Sequence, residues 1–218
     1  MKNKFDLIIV MIVLSLMNAC KKDETADVST IVKVSYPEIQ LKGAPGDSIV
    51  FVAKGGTYTE AGAILIDDIT HAQSDVFPDE SGVNTDSIGL YTITYKAHNS
   101  NGFETTKNRF VAVYNPAINP EDYTGSYSHN NGQAVTVTQS ASRLFSCDDI
   151  YGTFTIAIPG YFVDLGDILY IPKQPIDPSL GSFIYGDGLK SGAAGTYVLD
   201  FQGLIRDGLS RPRTFTQI

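Results

Sequence analysis

The sequence has no tryptophan, and in 218 residues it has only two cysteines, three histidines and three methionines. With so few soft or imidazole ligands, metal chemistry has little to work with. His71, His98 and His129 stand in no ligand spacing with one another or with Cys147, so no zinc site is expected. Basic residues are also scarce, 16 Lys and Arg against 24 Asp and Glu, for a net charge of −8. A surface of that sign repels phosphate backbones, which argues against nucleic-acid binding. It also argues against a peripheral grip on anionic lipid. The chain lacks a serine in a glycine elbow, a phosphate-binding loop and a dinucleotide fingerprint, so nothing marks it as an enzyme or calls for a cofactor. Apolar spacing of three and four, the mark of an amphipathic helix, is not sustained anywhere.

What is present begins at the N-terminus. Lys2 and Lys4 precede an apolar run from Leu7 to Met17 that only Ser15 interrupts, and Leu16-Met17-Asn18-Ala19-Cys20 follows. The layout is that of a secretory signal. The run is shorter than the roughly 20 apolar residues that span a bilayer. The segment resembles a bacterial lipoprotein signal, whose peptidase cuts before a lipidated cysteine, although Met17 and Asn18 depart from its stricter form. The resemblance implies a leader at 1–19, acylation at Cys20 and an outer-membrane protein held by its lipid and facing the cell exterior. The alternative is an uncleaved anchor with Cys20 as an ordinary thiol. Each buried methylene contributes about 0.8 kcal/mol, so two or three acyl chains hold a protein on the membrane permanently. Lys21-Lys22-Asp23-Glu24 is similar to the lysine-plus-acidic export signal of Bacteroidetes surface lipoproteins.

Loss of residues 1–19 removes two lysines and one aspartate and leaves 14 basic against 23 acidic residues, a net of −9. With Cys20 lipidated, Cys147 has no partner for a disulfide. Flanked by Ser146 and Asp148-Asp149, it reads as a buried small hydrophobe rather than a reactive thiolate.

About 200 mature residues allow one large or two small domains. Short alternating runs bounded by Gly, Pro, Asn and Asp predict an all-β chain. Residues 20–35 are the lipidated cysteine and a polar tether, and Tyr36-Pro37 opens a first unit at 36–115. Its expected strands are Ile39–Leu41, Ser48–Ala53, Ala63–Ile66, Gly89–Ala97 and Asn108–Tyr114. In Tyr91-Thr92-Ile93-Thr94-Tyr95 one face is apolar and the other polar. Ser48–Val52 is apolar on both faces, as a central strand between two layers would be. Asn101-Gly102 between strong strands is a hairpin signal.

The stretch Gly56-Thr57-Tyr58-Thr59-Glu60-Ala61-Gly62-Ala63 with Asp67, the block Gly89–Ala97 and the run Arg109–Val113 are similar, in that order, to bacterial surface Ig-like domains of the insecticidal-crystal-protein type. Gly102-Phe103 departs from the usual Gly-Asn. The resemblance implies an Ig-like β-sandwich, a spacer or binding scaffold rather than an enzyme.

Pro116 and Pro120 mark a stiff linker at 116–122. Residues 123–218 then carry seven expected strands: Gly125–Ser128, Ala134–Gln139, Gly152–Ile158, Asp167–Ile171, Ser182–Tyr185, Gly195–Phe201 and Arg213–Ile218. They predict a second small antiparallel β-sandwich or barrel. The lipid cysteine, the Ig-like unit and the Tyr-Thr-Gly-Ser-Tyr opening look like uncharacterised two-domain lipoproteins of gut Bacteroidetes.

Paired carboxylates at Asp67-Asp68 and Asp148-Asp149 fit no calcium loop and are expected in turns. Tyrosine rings stack on sugar faces, and the second unit is rich in Tyr and Phe that either fill a core or face a ligand. Tyr151, Tyr161 and Phe162, beside Asp149 and Asp164, are expected in loops as ligand-binding residues. The expected function is a non-enzymatic surface lipoprotein that binds an extracellular glycan. The alternative is a structural or assembly partner of an outer-membrane protein.

Overall fold

A computed structural model describes residues 36–218 apart from 44–47, 68, 79–81, 153–155, 178–181, 203–204 and 207–208. The expected leader, Cys20 and the tether lie outside the described residues, as do most of the turn at 43–47 and Asp68. Sixteen strands and no helix occur among the described residues, which belong to one compact unit.

The N-terminal part is a sandwich of two three-stranded sheets. In one, β3 (Ala63–Ile66) lies between β1 (Glu38–Leu41) and β4 (Gln73–Val76). In the other, β6 (Glu104–Tyr114) lies between β5 (Gly89–His98) and β2 (Ile49–Ala53), pairing antiparallel with β5 and parallel with β2. Alternation along β5 buries Ile93 and Tyr95 and leaves Thr92 and Thr94 exposed. Ile93 and Tyr95 meet Ile39, Val52, Val111 and Val113 in the core between the sheets.

The C-terminal part is a closed barrel of eight antiparallel strands. β7 (Gly125–His129), β8 (Ala134–Ala141), β9 (Leu144–Cys147), β10 (Gly160–Asp164), β11 (Ile168–Asp177), β12 (Ser182–Ser191) and β13 (Val198–Phe201) pair in chain order. A small hairpin of β14 (Ile205–Arg206) and β15 (Leu209–Ser210) leaves the wall beside β12, and β16 (Arg213–Gln217) closes the barrel between β13 and β7. An eight-stranded barrel is just wide enough for side chains to fill. Here aromatic rings fill it. Tyr123 touches Tyr197 and Phe145, and contacts continue through Phe162, Phe201 and Phe215 to His129, with centroids 4.9 to 6.0 Å apart. Cys147 is part of this core, and burial pushes its thiol up to about 12, so it packs as a hydrophobe.

β2 is apolar on both faces, but it is an edge strand rather than a central one. Val50 and Val52 face the sandwich core, while Ile49 and Phe51 join a separate cluster with Leu90, Ala112 and Tyr114. That cluster also contains Leu144, Val163, Leu165 and Tyr170 from the barrel wall. Along β10 the alternation explains it: Phe162 points into the barrel, while Val163, one residue on, points out onto the sandwich. The β2–β6–β5 sheet is therefore covered on both faces, by its partner sheet and by the barrel.

Residues 115–122 are laid on the barrel. The Asn115 amide donates to the Leu165 carbonyl at 2.8 Å, Arg143 donates to the Ile118 carbonyl, and its guanidinium lies 4.4 Å from the Tyr114 ring centre. Gly166, at φ 112°, lets the chain pass, since a Cβ there would meet Asn115 Cβ at 3.0 Å.

Candidate functional site

The structure reverses the expected strand and loop between residues 149 and 164. The described residues of the expected strand Gly152–Ile158 form a loop, and Gly160–Asp164, expected as loop, is β10. The cause is Asp149. Its Oδ1 accepts the amides of Tyr151 at 3.2 Å, Gly152 at 2.9 Å and Ile158 at 3.2 Å, which pinches the segment shut. Its Oδ2 accepts the Gln133 amide at 2.8 Å. Asp149 is thus buried and occupied in holding the loop, not offered to a ligand.

Tyr151 is also buried, with the Arg213 guanidinium 4.2 Å from its ring centre. Phe162 is in the barrel core. Asp164 is fully buried: Oδ1 accepts the Gly166 amide at 2.8 Å, Oδ2 accepts the Tyr123 hydroxyl at 3.2 Å, and the Lys190 Nζ lies 3.6 Å away. Lys190 in turn pairs with Glu121 at 2.9 Å, and Arg143 approaches Asp164 to 3.9 Å. Burial, and then the Asp164 charge, push the Tyr123 hydroxyl far above its ordinary range. The network ties the linker to the barrel. Of the five expected ligand residues only Tyr161 is not buried; it is half-buried on β10, its backbone held by the Gln174 amide. The alternation of β10 sends Phe162 inward, Asp149 and Asp164 are buried because their carboxylates satisfy turn amides, and Tyr151 packs into the barrel core from the loop, beside Arg213.

His129 closes the ring chain at the other end. Its Nδ1 accepts the Asn131 amide at 3.2 Å, which leaves the proton on Nε2. Among the described residues, Nε2 and Gln133 Oε1 are buried without a hydrogen-bond partner.

In the sandwich, the turn Gly56–Ala63 has a structural task. Glu60 and Arg109 form a buried ion pair. Tyr58 and Tyr95 donate to the same carboxylate, and Arg109 also donates to the Tyr95 hydroxyl at 2.9 Å and to the Lys42 carbonyl. A pair this deep holds only because its lone pairs and protons are satisfied.

The open ground lies at the end of the sandwich where the described chain begins. The β3–β4 turn and the β5–β6 turn enclose a cleft of about 270 Å³, lined by Pro37, Leu65, Asp67, Gln73, His98 and Ser100 among others. Asp67 Oδ1 shapes the first turn by accepting the Ile69 and Thr70 amides at 3.0 and 2.8 Å. Asn99 Oδ1 shapes the second by accepting the Asn101 and Phe103 amides, both at 3.0 Å. The second turn carries Phe103, whose ring sits 5.4 Å from that of Tyr36, the residue before Pro37. Tyr36 is 66% exposed and Phe103 39%. Sequence reading placed Tyr36 only as the start of the fold and Phe103 only as a departure from a hairpin pattern. The available signal was an aromatic just ahead of β1 and another just ahead of β6, where no core demands them.

A second exposed surface runs along the outside of β12, where Phe183, Tyr185 and Leu189 alternate with inward residues, and Leu209 of β15 is exposed as well. Lys173 Nζ lies 4.7 Å from the Phe183 ring centre.

Comparison with known proteins adds to this geometry. Residues 39–113 match the family described as bacterial surface protein, Ig-like domain. This agrees with the sandwich formed by β1 to β6, so the chain carries a bacterial surface Ig-like domain. No curated protein matches the chain. Among solved structures, a crystal structure of a lipoprotein from Bacteroides thetaiotaomicron is similar at 16% identity, covering 84% of this chain and 100% of that one with a TM-score of 0.37.

Proposed function

We propose that this chain is a non-enzymatic lipoprotein of the bacterial cell surface that binds an extracellular polysaccharide. The observation that carries this reading is the cleft at the sandwich end, with its mixed polar and apolar lining, together with the exposed pair of Tyr36, which adjoins Pro37 of the lining, and Phe103, which ends the turn that holds Ser100. A pyranose offers an apolar ring face and a rim of hydroxyls that both donate and accept. Aromatic faces match the first, and amide and hydroxyl side chains such as Gln73 and Ser100 match the second. The non-enzymatic part draws support from Asp149, which is buried and holds a turn rather than facing a substrate.

A shallow site exchanges water bonds for sugar bonds, so a dissociation constant of order 10–1000 μM is expected for one molecule, or about −4 to −7 kcal/mol. Many copies on one cell raise the avidity. The test is a glycan array followed by calorimetry on the detergent-solubilised full-length protein. Tyr36→Ala and Phe103→Ala should each weaken binding by roughly tenfold, about 1.4 kcal/mol. Binding that both variants leave unchanged rules the cleft out.

The apolar outer face of β12 supports a second reading, an assembly partner of an outer-membrane protein, because exposed apolar surface of that kind marks protein contacts. No sugar binding at millimolar concentration, together with loss of a co-purifying membrane protein in Leu189→Asp, is the outcome that favours it.

A further inference from the structure

We infer that the β7–β8 turn and residues 149–152 are joined by an acid-sensitive latch, in which a proton taken up at Nδ1 of His129 releases Asn131 and, through it, the 149–152 segment. The inference is independent of the glycan reading, since no residue of the cleft takes part. His129 is buried at the end of β7. The turn after it is closed by two backbone bonds of 2.7 Å, from the His129 amide to the Gln133 carbonyl and from the Gly132 amide to the His129 carbonyl. The Asn131 amide donates to His129 Nδ1 at 3.2 Å, and Asn131 Oδ1 accepts the Gln133 amide at 3.0 Å. Two side-chain amides then cross from the turn to the neighbouring segment. Asn131 Nδ2 donates to the Gly152 carbonyl and Gln133 Nε2 to Asp149 Oδ2, both at 2.8 Å. Gly152 itself lies against the imidazole, where a Cβ would stand 2.6 Å from Cδ2, Cε1 and Nε2.

An imidazole nitrogen accepts a hydrogen bond only while it carries no proton. Nε2 holds the proton of the neutral ring, so an added one goes to Nδ1, against the Asn131 N–H. Two donors then face each other. The new charge is buried, and among the described residues Nε2 has no hydrogen-bond partner to share it. The groups packed around the ring do not offset this. Asp149, from the 149–152 side, favours the charged ring, but its carboxylate already accepts the Gln133, Tyr151, Gly152 and Ile158 amides. Arg213 of β16 opposes the charge, and the Phe215 ring of the same strand, 5.0 Å away, is apolar. Burial, the largest influence, accordingly holds the ring's pKa below 6.5. A charged ring is relieved by opening the turn to water. Asn131 and Gln133 are the turn's hold on residues 152 and 149, so the two segments open together.

The experiment is amide hydrogen exchange, read by mass spectrometry on full-length protein in detergent from about pH 8 to 5 and corrected for the intrinsic pH dependence of exchange. Below 6.5 the open form takes up the proton before the closed form does. Exchange in peptides that hold the Asn131, Tyr151 and Gly152 amides should therefore rise by up to about tenfold per pH unit. Peptides over β10 and β11 should change by less than about twofold over the same range, because a local opening leaves the barrel wall closed. His129→Gln keeps a side-chain carbonyl to accept the Asn131 amide and has no proton to gain, so its peptides should lose the pH dependence. A second measurement needs no variant that folds. The rise in the wild-type protein should level off at the pH where the closed form's imidazole itself titrates, followed by NMR of the histidine rings, of which the chain has three. Exchange that ignores pH, that rises equally over β10 and β11, that persists in His129→Gln or that levels off away from the ring's own titration overturns the latch.

Discussion

His129 is buried at the end of the aromatic core, and a proton there has nowhere comfortable to sit. Burial is the largest cause holding its pKa below the ordinary 6.5, and the Arg213 guanidinium adds to it, while Asn131 and Asp149 oppose. The sign of the stability effect follows. As pH falls below 6.5 the unfolded chain takes up the proton before the folded one, so stability is complete above 6.5 and declines from there down to the folded value. Urea denaturation from about pH 8 to 5 should show that decline, and His129→Gln should remove its share of it. A variant with an unchanged pH profile would show that the imidazole titrates alike in the folded and unfolded states. Asp149 makes a second prediction. Its carboxylate satisfies three backbone amides and one side-chain amide in a buried loop. Asp149→Ala leaves them unpaired, and each buried orphan costs about 1–3 kcal/mol. After partial relaxation a loss of about 2–4 kcal/mol is expected in a denaturant midpoint. Gly152, at φ 63° and with the His129 ring where a Cβ would go, makes the same loop intolerant of any larger residue.

At the scale of strands, alternation was legible wherever one face is wet. Tyr91–Tyr95 and Tyr197–Phe201 are oriented as their patterns predict. The all-β class followed from such runs, and the sandwich from the family resemblance that Gly56–Ala63, Gly89–Ala97 and Arg109–Val113 carry. The pattern misled where both faces are buried or where a side chain captures the backbone. Gly160–Asp164 reads as loop because Gly160, Asp164 and Gly166 bracket it. Its outward residues are apolar for the sake of the sandwich, a contact distant in sequence that no local window contains. Gly152–Ile158 reads as strand because Phe154, Ile156 and Ile158 alternate, and the competing pull of Asp149 is invisible without coordinates. For the same reason the expected ligand residues were chosen from the barrel, while the aromatics on open ground, Tyr36 and Phe103, lie in the other half. The barrel–sandwich contact carries its own prediction. Leu165 is fully buried between the two parts. Leu165→Ala should cost about 2–5 kcal/mol. Arg143→Ala, which removes the donor to the Ile118 carbonyl, should turn the segment 115–122 into an early site of limited proteolysis. Wild-type protein should resist cleavage there; equal cleavage of both would show that the linker is not held by this contact.

At the scale of the whole molecule, two sheets and a closed barrel make three layers of a stiff body. The three layers are the outer sheet of the sandwich, the doubly covered sheet and the barrel wall. The bonds that bind residues 115–122 to the barrel leave little freedom at the junction. A stiff body suits a protein held at one point, because whatever orientation its tether allows is passed on to every surface it exposes. The point of attachment read from the sequence is Cys20, sixteen residues before Tyr36, so the intervening chain reaches at most about 55 Å when extended. That span sets how far the cleft beside Tyr36 can stand from the membrane. Acylation at Cys20 makes a measurable difference. Mass spectrometry of membrane-extracted protein should find a lipid-modified N-terminal peptide beginning at Cys20, with residues 1–19 gone. Cys20→Ala should leave the membrane fraction and appear as soluble protein. A Cys20→Ala protein that still pellets with membranes would mean that the attachment lies elsewhere, and the exposed apolar face of β12 would then be the first surface to examine.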